Sequence, residues 1–203
     1  MHGFDVLTQG KPPAEATSAI ILLHGRGADA EDIITLAEEF CDDSFHIAAP
    51  RATGNSWYPY TFLSPEEKNE PWLSSAIQVV KQLIDNIAAH VPRERIYIMG
   101  FSQGACLALE VTTRHAAKYA GVVAFSGGLI GARVNPLKYK GNFEGTKIFI
   151  GNSDKDPHIP LQRTRDSAEL LLKRGADVQL KIYPDMPHTI IRDEIDAVIE
   201  MMF

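Results

Sequence analysis

The chain is poor in the features that mark several large classes of protein. It has two cysteines in 203 residues, Cys41 and Cys106, so no disulfide framework is expected to hold the fold together. No apolar run approaches the roughly 18 residues of a membrane span, and the N-terminal residues lack the basic-then-apolar pattern of a signal peptide. These absences predict a cytoplasmic protein that is not stably inserted in a membrane.

Positive charge is scarce as well. The 20 Lys and Arg residues are outnumbered by 26 Asp and Glu residues, which leaves a formal net charge of −6. No long block of basic residues occurs, although a nucleic-acid site needs clustered Lys and Arg to neutralise phosphates. The glycine-rich phosphate-binding motifs and the His and Cys spacings of metal sites are also missing. We therefore predict no nucleic-acid partner, no cofactor and no metal ion.

The composition that remains is that of an ordinary globular protein, with 45% apolar and 23% charged residues. A chain of this length can bury a core without staples, and we expect one domain over residues 1–203. Short apolar runs predict strands at 18–24, 45–49, 95–101, 121–126, 146–151 and 178–183, with an antiparallel edge strand at 3–8. Helical spacing predicts helices at 30–40, 71–91, 103–115, 161–174 and 188–203.

This alternation of strands and helices predicts the α/β class, with a mostly parallel sheet covered by helices on both faces. Strands and helices use nearly all of the chain, so we expect no cap domain. Two stretches, 50–70 and 127–145, have no regular period, and each follows the carboxyl end of a predicted strand. Open α/β sheets build their sites at this edge. We therefore expect the two stretches to wall a shallow, exposed pocket.

The sharpest motif is G-x-S-x-G, formed by Gly100-Phe101-Ser102-Gln103-Gly104. A predicted strand runs into the motif, and a predicted helix begins directly after it. This is the context of a nucleophile elbow, in which small flanking residues let the chain turn sharply and expose the serine hydroxyl. Ser102 is therefore the candidate nucleophile. The alternative is a serine that caps an ordinary strand–helix turn.

A serine nucleophile needs a base, and the base needs an acid that orients it. Elbow hydrolases supply them in the chain order Ser, then Asp or Glu, then His, and His188 follows the last predicted strand. The loop after the strand predicted at 146–151 offers two acids. We favour Asp156, which neighbouring prolines pin, and keep Asp154, nearer to the strand end, as the alternative. His158 is interpreted as a loop residue at the pocket rim.

The segment His24-Gly25-Arg26-Gly27 closes the first strongly apolar strand and suits an oxyanion hole. Glycines let backbone N–H groups approach a ligand. Elbow hydrolases use one amide from this early loop and one from the residue after the nucleophile. We assign these roles to the amides of Arg26 and Gln103. His24 is interpreted as a structural hydrogen-bonding residue.

Several large apolar residues are candidates for the walls of an acyl pocket. One wall is expected to contain Trp57, Tyr58, Tyr60, Phe62 and Leu63, and the opposite wall Leu129 and Ile130. The alternative is that the aromatic residues only cover the edge of the sheet.

A set of motifs resembles the phospholipase/carboxylesterase family of small α/β-hydrolases, which includes acyl-protein thioesterases and bacterial carboxylesterases. The motifs are HGRGAD at 24–29, WY at 57–58, GFSQGA at 100–105, FSGGL at 125–129, DPHIP at 156–160 and PH at 187–188. The resemblance covers nearly the whole chain. It implies an α/β-hydrolase fold, with Ser102 as nucleophile, His188 as base, Asp156 as acid and the amides of Arg26 and Gln103 as oxyanion donors.

The chain departs from the family at two places. Arg26 stands where leucine is frequent in the eukaryotic thioesterases, and the acid loop carries two extra residues between Gly151 and Asp156. The second departure is the reason why Asp154 stays an alternative. Both differences favour a bacterial esterase subgroup over a protein depalmitoylase.

The leading prediction is a serine hydrolase that cleaves carboxylic esters through an acyl-enzyme, with thioesters and lysophospholipids as further substrate classes. Its expected partner is a small-molecule acyl ester, and the net charge disfavours strongly anionic substrates unless Arg26 compensates. One alternative is a lactone or dienelactone hydrolase, although those usually place cysteine at the elbow. Another is a non-catalytic small-molecule-binding protein, although such proteins commonly lose a triad member. The sequence leaves the oligomeric state open and allows a homodimer.

Overall fold

The computed structural model describes residues 1–203 and contains a seven-stranded sheet with five α-helices. The strands are β1 (Val6–Gly10), β2 (Ser18–Leu23), β3 (Phe45–Pro50), β4 (Ile96–Phe101), β5 (Gly121–Phe125), β6 (Lys147–Ser153) and β7 (Asp177–Tyr183). The helices are α1 (Ala30–Ile34), α2 (Trp72–Ala88), α3 (Gln103–Arg114), α4 (Leu161–Lys173) and α5 (Arg192–Met202). None of the five combines the length and the apolar character that a bilayer-spanning helix requires.

The strands lie in the order β1-β3-β2-β4-β5-β6-β7. All neighbours are parallel except β1 and β3, which pair antiparallel at the edge. Leu23 pairs with Gly100, and Phe125 pairs with both Phe101 and Gly151. The carboxyl ends of β2, β4, β5 and β6 are therefore level, and the loops that follow them meet at one edge of the sheet.

The sheet is buried on both faces because alternate residues of each strand point to opposite sides. In β2, Ile20 and Leu22 join the core that α1 and α5 cover, whereas Ile21 and Leu23 join the larger core under α2, α3 and α4. The apolar run at 18–24 is therefore continuous because residues on both faces of β2 are buried. The predicted α/β fold class, with a mostly parallel sheet between two helix layers, is confirmed.

Two helices differ most from the predictions. The helix predicted at 188–203 begins at Arg192, because Ile191 is extended (φ −112°, ψ 160°) and its amide donates to the Glu194 carboxylate at 3.1 Å. The apolar spacing thus runs one turn beyond the helix itself. The helix predicted at 30–40 is α-helical only over Ala30–Ile34 and continues as a 3₁₀ helix over Thr35–Glu39.

The two stretches predicted at 50–70 and 127–145 correspond to the connections from β3 to α2, residues 51–71, and from β5 to β6, residues 126–146. The first contains one-turn 3₁₀ helices at Thr53–Asn55 and Glu66–Lys68, and the second contains one at Pro136–Lys138. Both stretches are otherwise loop, so neither forms a cap domain over the carboxyl edge of the sheet.

Candidate active site

Ser102 occupies a sharp turn between β4 and α3. Its φ of 54° and ψ of −115° lie in a region that residues with a side chain rarely adopt. The turn depends on two glycines: a Cβ atom at Gly104 would collide with the carbonyl oxygen of Leu23, and one at Gly100 would collide with the backbone of Gly104. The amide of Ser102 donates to the carbonyl of Phe125 at 2.9 Å. The G-x-S-x-G motif thus has the geometry of a nucleophile elbow.

Three side chains from three different loops form a chain of hydrogen bonds at the carboxyl edge of the sheet. His188, between β7 and α5, places Nε2 2.8 Å from the Ser102 Oγ. Its Nδ1 lies 2.7 Å from Oδ2 of Asp156, which follows β6. The structure therefore brings together the three residues that the sequence predicted as nucleophile, base and acid.

The Asp156 carboxylate is surrounded by donors. Its Oδ1 accepts the amides of His158 at 2.8 Å and Ile159 at 2.9 Å, while Oδ2 faces His188. Burial alone would raise the pKa of this carboxyl, but the hydrogen bonds from His188 and the two amides outweigh burial and hold the pKa below its usual range. Asp156 is therefore an anion that keeps the proton of His188 on Nδ1 and leaves Nε2 to accept.

Asp154, the alternative acid, has a different partner. Its Oδ1 accepts the amide of Asp185 at 2.9 Å, and Lys155 pairs with the same Asp185 at 2.5 Å. These contacts join the loop after β6 to the loop that carries His188. Asp154 therefore fixes the spacing of the two loops and does not contact the imidazole.

The other two histidines of interest lie apart from the hydrogen-bond chain. His158 is exposed at the cleft rim, and its ring is edge-on to the His188 ring at 4.8 Å. His24 is fully buried: Nδ1 bonds to the Gly25 carbonyl at 2.8 Å, and Nε2 accepts the Ala52 amide at 3.1 Å. Burial lowers the pKa of His24. His24 is thus a neutral ring that joins two loops.

Two backbone amides near Ser102 are available to a ligand. Gln103 is the first residue of α3, and the first amides of a helix have no intrahelical acceptor. In the loop after β2, Gly27 donates to the Asn55 carbonyl at 2.8 Å and Ala28 to the Gly25 carbonyl at 3.3 Å, whereas the Arg26 amide has no acceptor in the protein. Arg26 and Gln103 both line the cleft that contains Ser102.

The cleft has a volume of about 720 Å³. It is lined by Gly25, Arg26, Ala28, Tyr58, Pro59, Tyr60, Thr61, Phe62, Phe101, Ser102, Gln103, Cys106, His158, Ile159 and His188. Of the residues predicted for its walls, Tyr58, Tyr60 and Phe62 lie in it. One side of the cleft is therefore formed by the stretch after β3, as the sequence predicted.

Trp57 and Leu129, predicted to bind substrate, do not line the cleft. Trp57 is fully buried; its indole donates to the His24 carbonyl at 2.9 Å and its ring lies 4.9 Å from the His24 ring. Leu129 and Ile130 are also buried, and their amides donate at 2.9 Å to Ser167 and at 3.1 Å to Glu110. These contacts hold the predicted second wall against the body of the protein and away from the cleft.

The sequence interpretation missed Phe101, Cys106 and Ile159 as lining residues. Cys106 lies in the first turn of α3, and its amide donates to the carbonyl of Ser102 at 3.0 Å, so the four-residue spacing from Ser102 contained the signal. Burial raises the pKa of the Cys106 thiol to about 12, which keeps it protonated and poorly nucleophilic. No three or more His, Cys, Asp or Glu side chains are grouped to hold a metal ion.

The parallel sheet, the strained serine between strand and helix, and the hydrogen-bonded Asp and His from later loops define a protein with the α/β-hydrolase fold. Residues 6–202 match the sequence profile described as Phospholipase/Carboxylesterase. The chain belongs to the phospholipase/carboxylesterase family. The sequence prediction of this family is confirmed, and with it a serine hydrolase of the ester and thioester type.

Relatives of the chain include proteins named acyl-protein thioesterase 1. The one from Debaryomyces hansenii is 31% identical in an alignment of 205 positions, gaps included, that covers 89% of this chain and 88% of that protein. The one from Gibberella zeae is 33% identical over 59% of this chain, and the match spans only 51% of that protein.

Solved structures agree with the fold. A phospholipase/carboxylesterase from Dyadobacter fermentans has a TM-score of 0.96 and 46% identity, covering 99% of this chain and 97% of that one. The Bacillus cereus carboxylesterase has a TM-score of 0.77 at 20% identity, covering 96% of this chain and 91% of that one. At that identity the second likeness concerns the fold alone.

Proposed function

We propose that the chain is a carboxylesterase in which Ser102 is the nucleophile, His188 the base and Asp156 the acid that orients the base. The observation that carries the proposal is the continuous hydrogen-bond chain from Asp156 Oδ2 through both His188 nitrogens to the Ser102 Oγ, with distances of 2.7 and 2.8 Å. Both fall in the range expected for a poised nucleophile and base. The domain prediction for 1–203, the cytoplasmic location and the homodimer stay predictions.

In the proposed reaction, His188 Nε2 takes the proton of the Ser102 hydroxyl while Oγ forms a bond to the acyl carbon. The carbonyl electron pair moves onto oxygen and gives a tetrahedral oxyanion. When the pair returns, the bond to the leaving alcohol breaks, and the alcohol oxygen takes the proton from His188. Water then repeats these steps on the acyl-enzyme and releases the carboxylic acid and free Ser102. Asp156 stabilises the imidazolium that forms in each half.

The oxyanion is proposed to accept hydrogen bonds from the amides of Arg26 and Gln103. Both amides border the cleft beside Ser102, and the Gln103 amide also belongs to the N-terminus of α3, where the helix dipole favours negative charge. Losing a single donor of this kind typically lowers kcat by about 10²–10³-fold. The two amides would thus supply a large part of the rate acceleration.

The cleft favours an uncharged, partly aromatic or aliphatic acyl group. Tyr58, Tyr60, Phe62 and Ile159 provide apolar surface. The net charge disfavours strongly anionic substrates unless Arg26 compensates, and the terminal guanidinium nitrogens of Arg26 are bound to oxygens of the protein itself. Acyl thioesters are a second candidate class, because the Debaryomyces hansenii relative carries the name acyl-protein thioesterase 1.

The proposal is tested with a set of aryl esters of increasing acyl length, run beside one acyl thioester. Ser102→Ala should abolish turnover of all of them, and retained turnover would overturn the proposal. Asp156→Asn should lower kcat by about 10⁴-fold, the size seen when a triad loses its acid. Asp154→Asn, two residues away, is the matched control and should keep kcat near the wild-type value. If Asp154→Asn lowered kcat far more than Asp156→Asn, Asp154 and not Asp156 would be the acid that orients His188.

A further inference from the structure

The terminal nitrogens of the Arg26 guanidinium bind residues 56–60, which we call the wall segment because its Tyr58, Pro59 and Tyr60 line the cleft. Arg26 Nη1 donates to Ser56 Oγ at 2.9 Å and to the Pro59 carbonyl at 3.0 Å. Nη2 donates to the carbonyls of Tyr58 at 2.8 Å and Tyr60 at 2.9 Å. These oxygens converge on one side chain, although Arg26 is about 30 residues away in sequence.

The side chain of Gln103 binds the same segment. Its Oε1 accepts the Trp57 amide at 2.9 Å, and its Nε2 donates to the Tyr58 carbonyl at 2.9 Å. The Tyr58 carbonyl therefore accepts from both Arg26 and Gln103. Because the carboxamide pairs with both a peptide N–H and a carbonyl, it fixes the orientation of the wall segment as well as its distance from Gln103.

Further contacts join the wall segment to the loop after β2. The Trp57 indole donates to the His24 carbonyl at 2.9 Å, and the Gly27 amide donates to Asn55, just before the segment, at 2.8 Å. The carbonyls of the segment thus connect the two residues whose amides border Ser102. Moving the segment would move Arg26 relative to Gln103.

We propose that the Arg26 guanidinium and the Gln103 carboxamide are positioning groups that set the distance between the two oxyanion amides through the wall segment. The inference rests on the proposed function and adds a role for side chains whose backbones alone were assigned. Catalytic constellations need their groups held within about 0.5 Å of the productive geometry. An amide that drifts by more than this would lose part of its stabilisation of the transition state.

Arginine suits this role because its planar fork directs several donors at fixed angles, whereas lysine presents one compact ammonium. Four oxygens spread over the wall segment match the fork. None of the protein's ion pairs includes Arg26. Arg26 therefore positions the wall segment through directed hydrogen bonds and not through an ion pair.

The test compares Arg26→Leu and Arg26→Lys with Arg165→Leu. Arg165 is exposed and makes no side-chain hydrogen bond or ion pair, so its loss changes net charge by the same amount. We measure kcat and KM with an aryl ester, and the affinity for a trifluoromethyl ketone, which adds to a nucleophilic serine and places an oxyanion in the hole. A far-ultraviolet circular dichroism spectrum and an unfolding midpoint establish that each variant is folded.

Arg26→Leu is expected to lower kcat about 10–100-fold, somewhat less than the loss of a whole donor. The affinity for the trifluoromethyl ketone should fall by the same factor, while KM stays within a few-fold of the wild-type value. Arg26→Lys should recover only part of the loss, and Arg165→Leu should match wild type. Unchanged kcat and ketone affinity in Arg26→Leu would overturn the inference. So would a rise in KM alone, which would make Arg26 a residue of the acyl wall only. If the leucine variant does not fold, the lysine variant gives the same comparison.

A second, independent test combines Arg26→Leu with Gln103→Met. Because both side chains hold one segment, the double variant Arg26→Leu/Gln103→Met should lose less kcat than the product of the two single losses. Multiplicative losses would contradict a shared segment. Ser102→Ala separates this inference from the proposed function. An active Ser102→Ala enzyme would remove the proposed function itself, whereas an inactive one beside an unaffected Arg26→Leu enzyme would remove only the positioning role.

Discussion

The wall segment and the segment 129–139 both belong to stretches that the sequence predicted as cleft walls, but different residues anchor them. The wall segment is bound by Arg26 and Gln103, which line the cleft beside Ser102. The second segment is bound by Glu110 of α3 and Arg163 of α4, which do not line the cleft. Only the first lines the cleft. The comparison teaches that the origin of the anchoring side chains, and not the apolarity of a loop, decides which loop forms the site.

The contacts of the second segment are those of a buried structural element. Glu110 is fully buried; it accepts the Ile130 amide at 3.1 Å and the Tyr139 hydroxyl at 2.9 Å and pairs with Arg114 at 2.6 Å. Arg163 donates to carbonyls at Leu129, Gly131 and Ala132, at 2.9, 2.7 and 3.0 Å. Apart from the Glu110–Arg114 pair, which lies within α3, these bonds hold the segment against the helices. We therefore expect changes in it to affect stability far more than catalysis.

The largest effect is expected for Glu110→Ala. Removal of the carboxylate leaves buried cationic and polar groups without their partner, which should lower the free energy of unfolding by about 3–5 kcal/mol. The molecules that remain folded should keep their kcat. Urea unfolding followed by fluorescence measures the loss. Glu169→Ala, which breaks the exposed pair with Lys173, is the control and should change stability far less, because solvent screens an exposed ion pair. Equal losses in the two variants would refute the structural role of Glu110.

Arg163→Leu removes the arginine that binds the segment 129–139, just as Arg26→Leu removes the arginine that binds the wall segment. Three carbonyls lose their donor, and we expect a loss of about 3 kcal/mol in stability. Because the Arg163 guanidinium also lies 5.6 Å from the Phe62 ring, a cleft residue, KM for longer acyl esters should rise. The kcat and the trifluoromethyl ketone affinity should not fall. A drop in both, as large as in Arg26→Leu, would erase the distinction between the two segments.

The smallest effect concerns Glu194, which neither segment contacts. Burial raises the pKa of this carboxyl to about 7 from 4.5. The folded state then holds a proton that the unfolded state releases, so wild-type stability should decrease as pH rises from about 4.5 to about 7. Glu194→Gln cannot ionise, and its stability relative to wild type should increase by about 2–3 kcal/mol between pH 4 and pH 8. Parallel stability curves for the two proteins would contradict this assignment.

The three residues of the hydrogen-bond chain could be predicted because chain order and strand ends constrain them. Ser102 lies in a motif whose glycines a sharp turn requires, and His188 and Asp156 follow strands whose carboxyl ends meet at one edge. The fold class followed from the alternation of apolar runs and helical spacing. Those features are local in sequence, and local patterns report them well.

The cleft walls could be predicted only in part. Trp57 and Leu129 are as apolar as Phe62, yet the first two are turned inwards by hydrogen bonds to His24 and Ser167. Such bonds join residues more than 30 positions apart, so no local pattern contains them. The late start of α5 has a local cause: the apolar spacing continues through Ile191, but its backbone is extended and its amide donates to the Glu194 carboxylate. Long-range contacts thus placed Trp57 and Leu129, whereas a local cap set the start of α5.

The central claim, that Ser102 is the nucleophile, is tested most directly with an aryl dialkyl phosphate. Attack by the Ser102 oxygen forms an Oγ–P bond, releases one aryloxide and leaves a stable dialkylphosphoryl-serine. We expect one aryloxide per chain, loss of esterase activity, and a single phosphoryl adduct on the peptide that contains Ser102 when the digest is analysed by mass spectrometry. An adduct on another residue, or full inactivation with Ser102 unmodified, would contradict it.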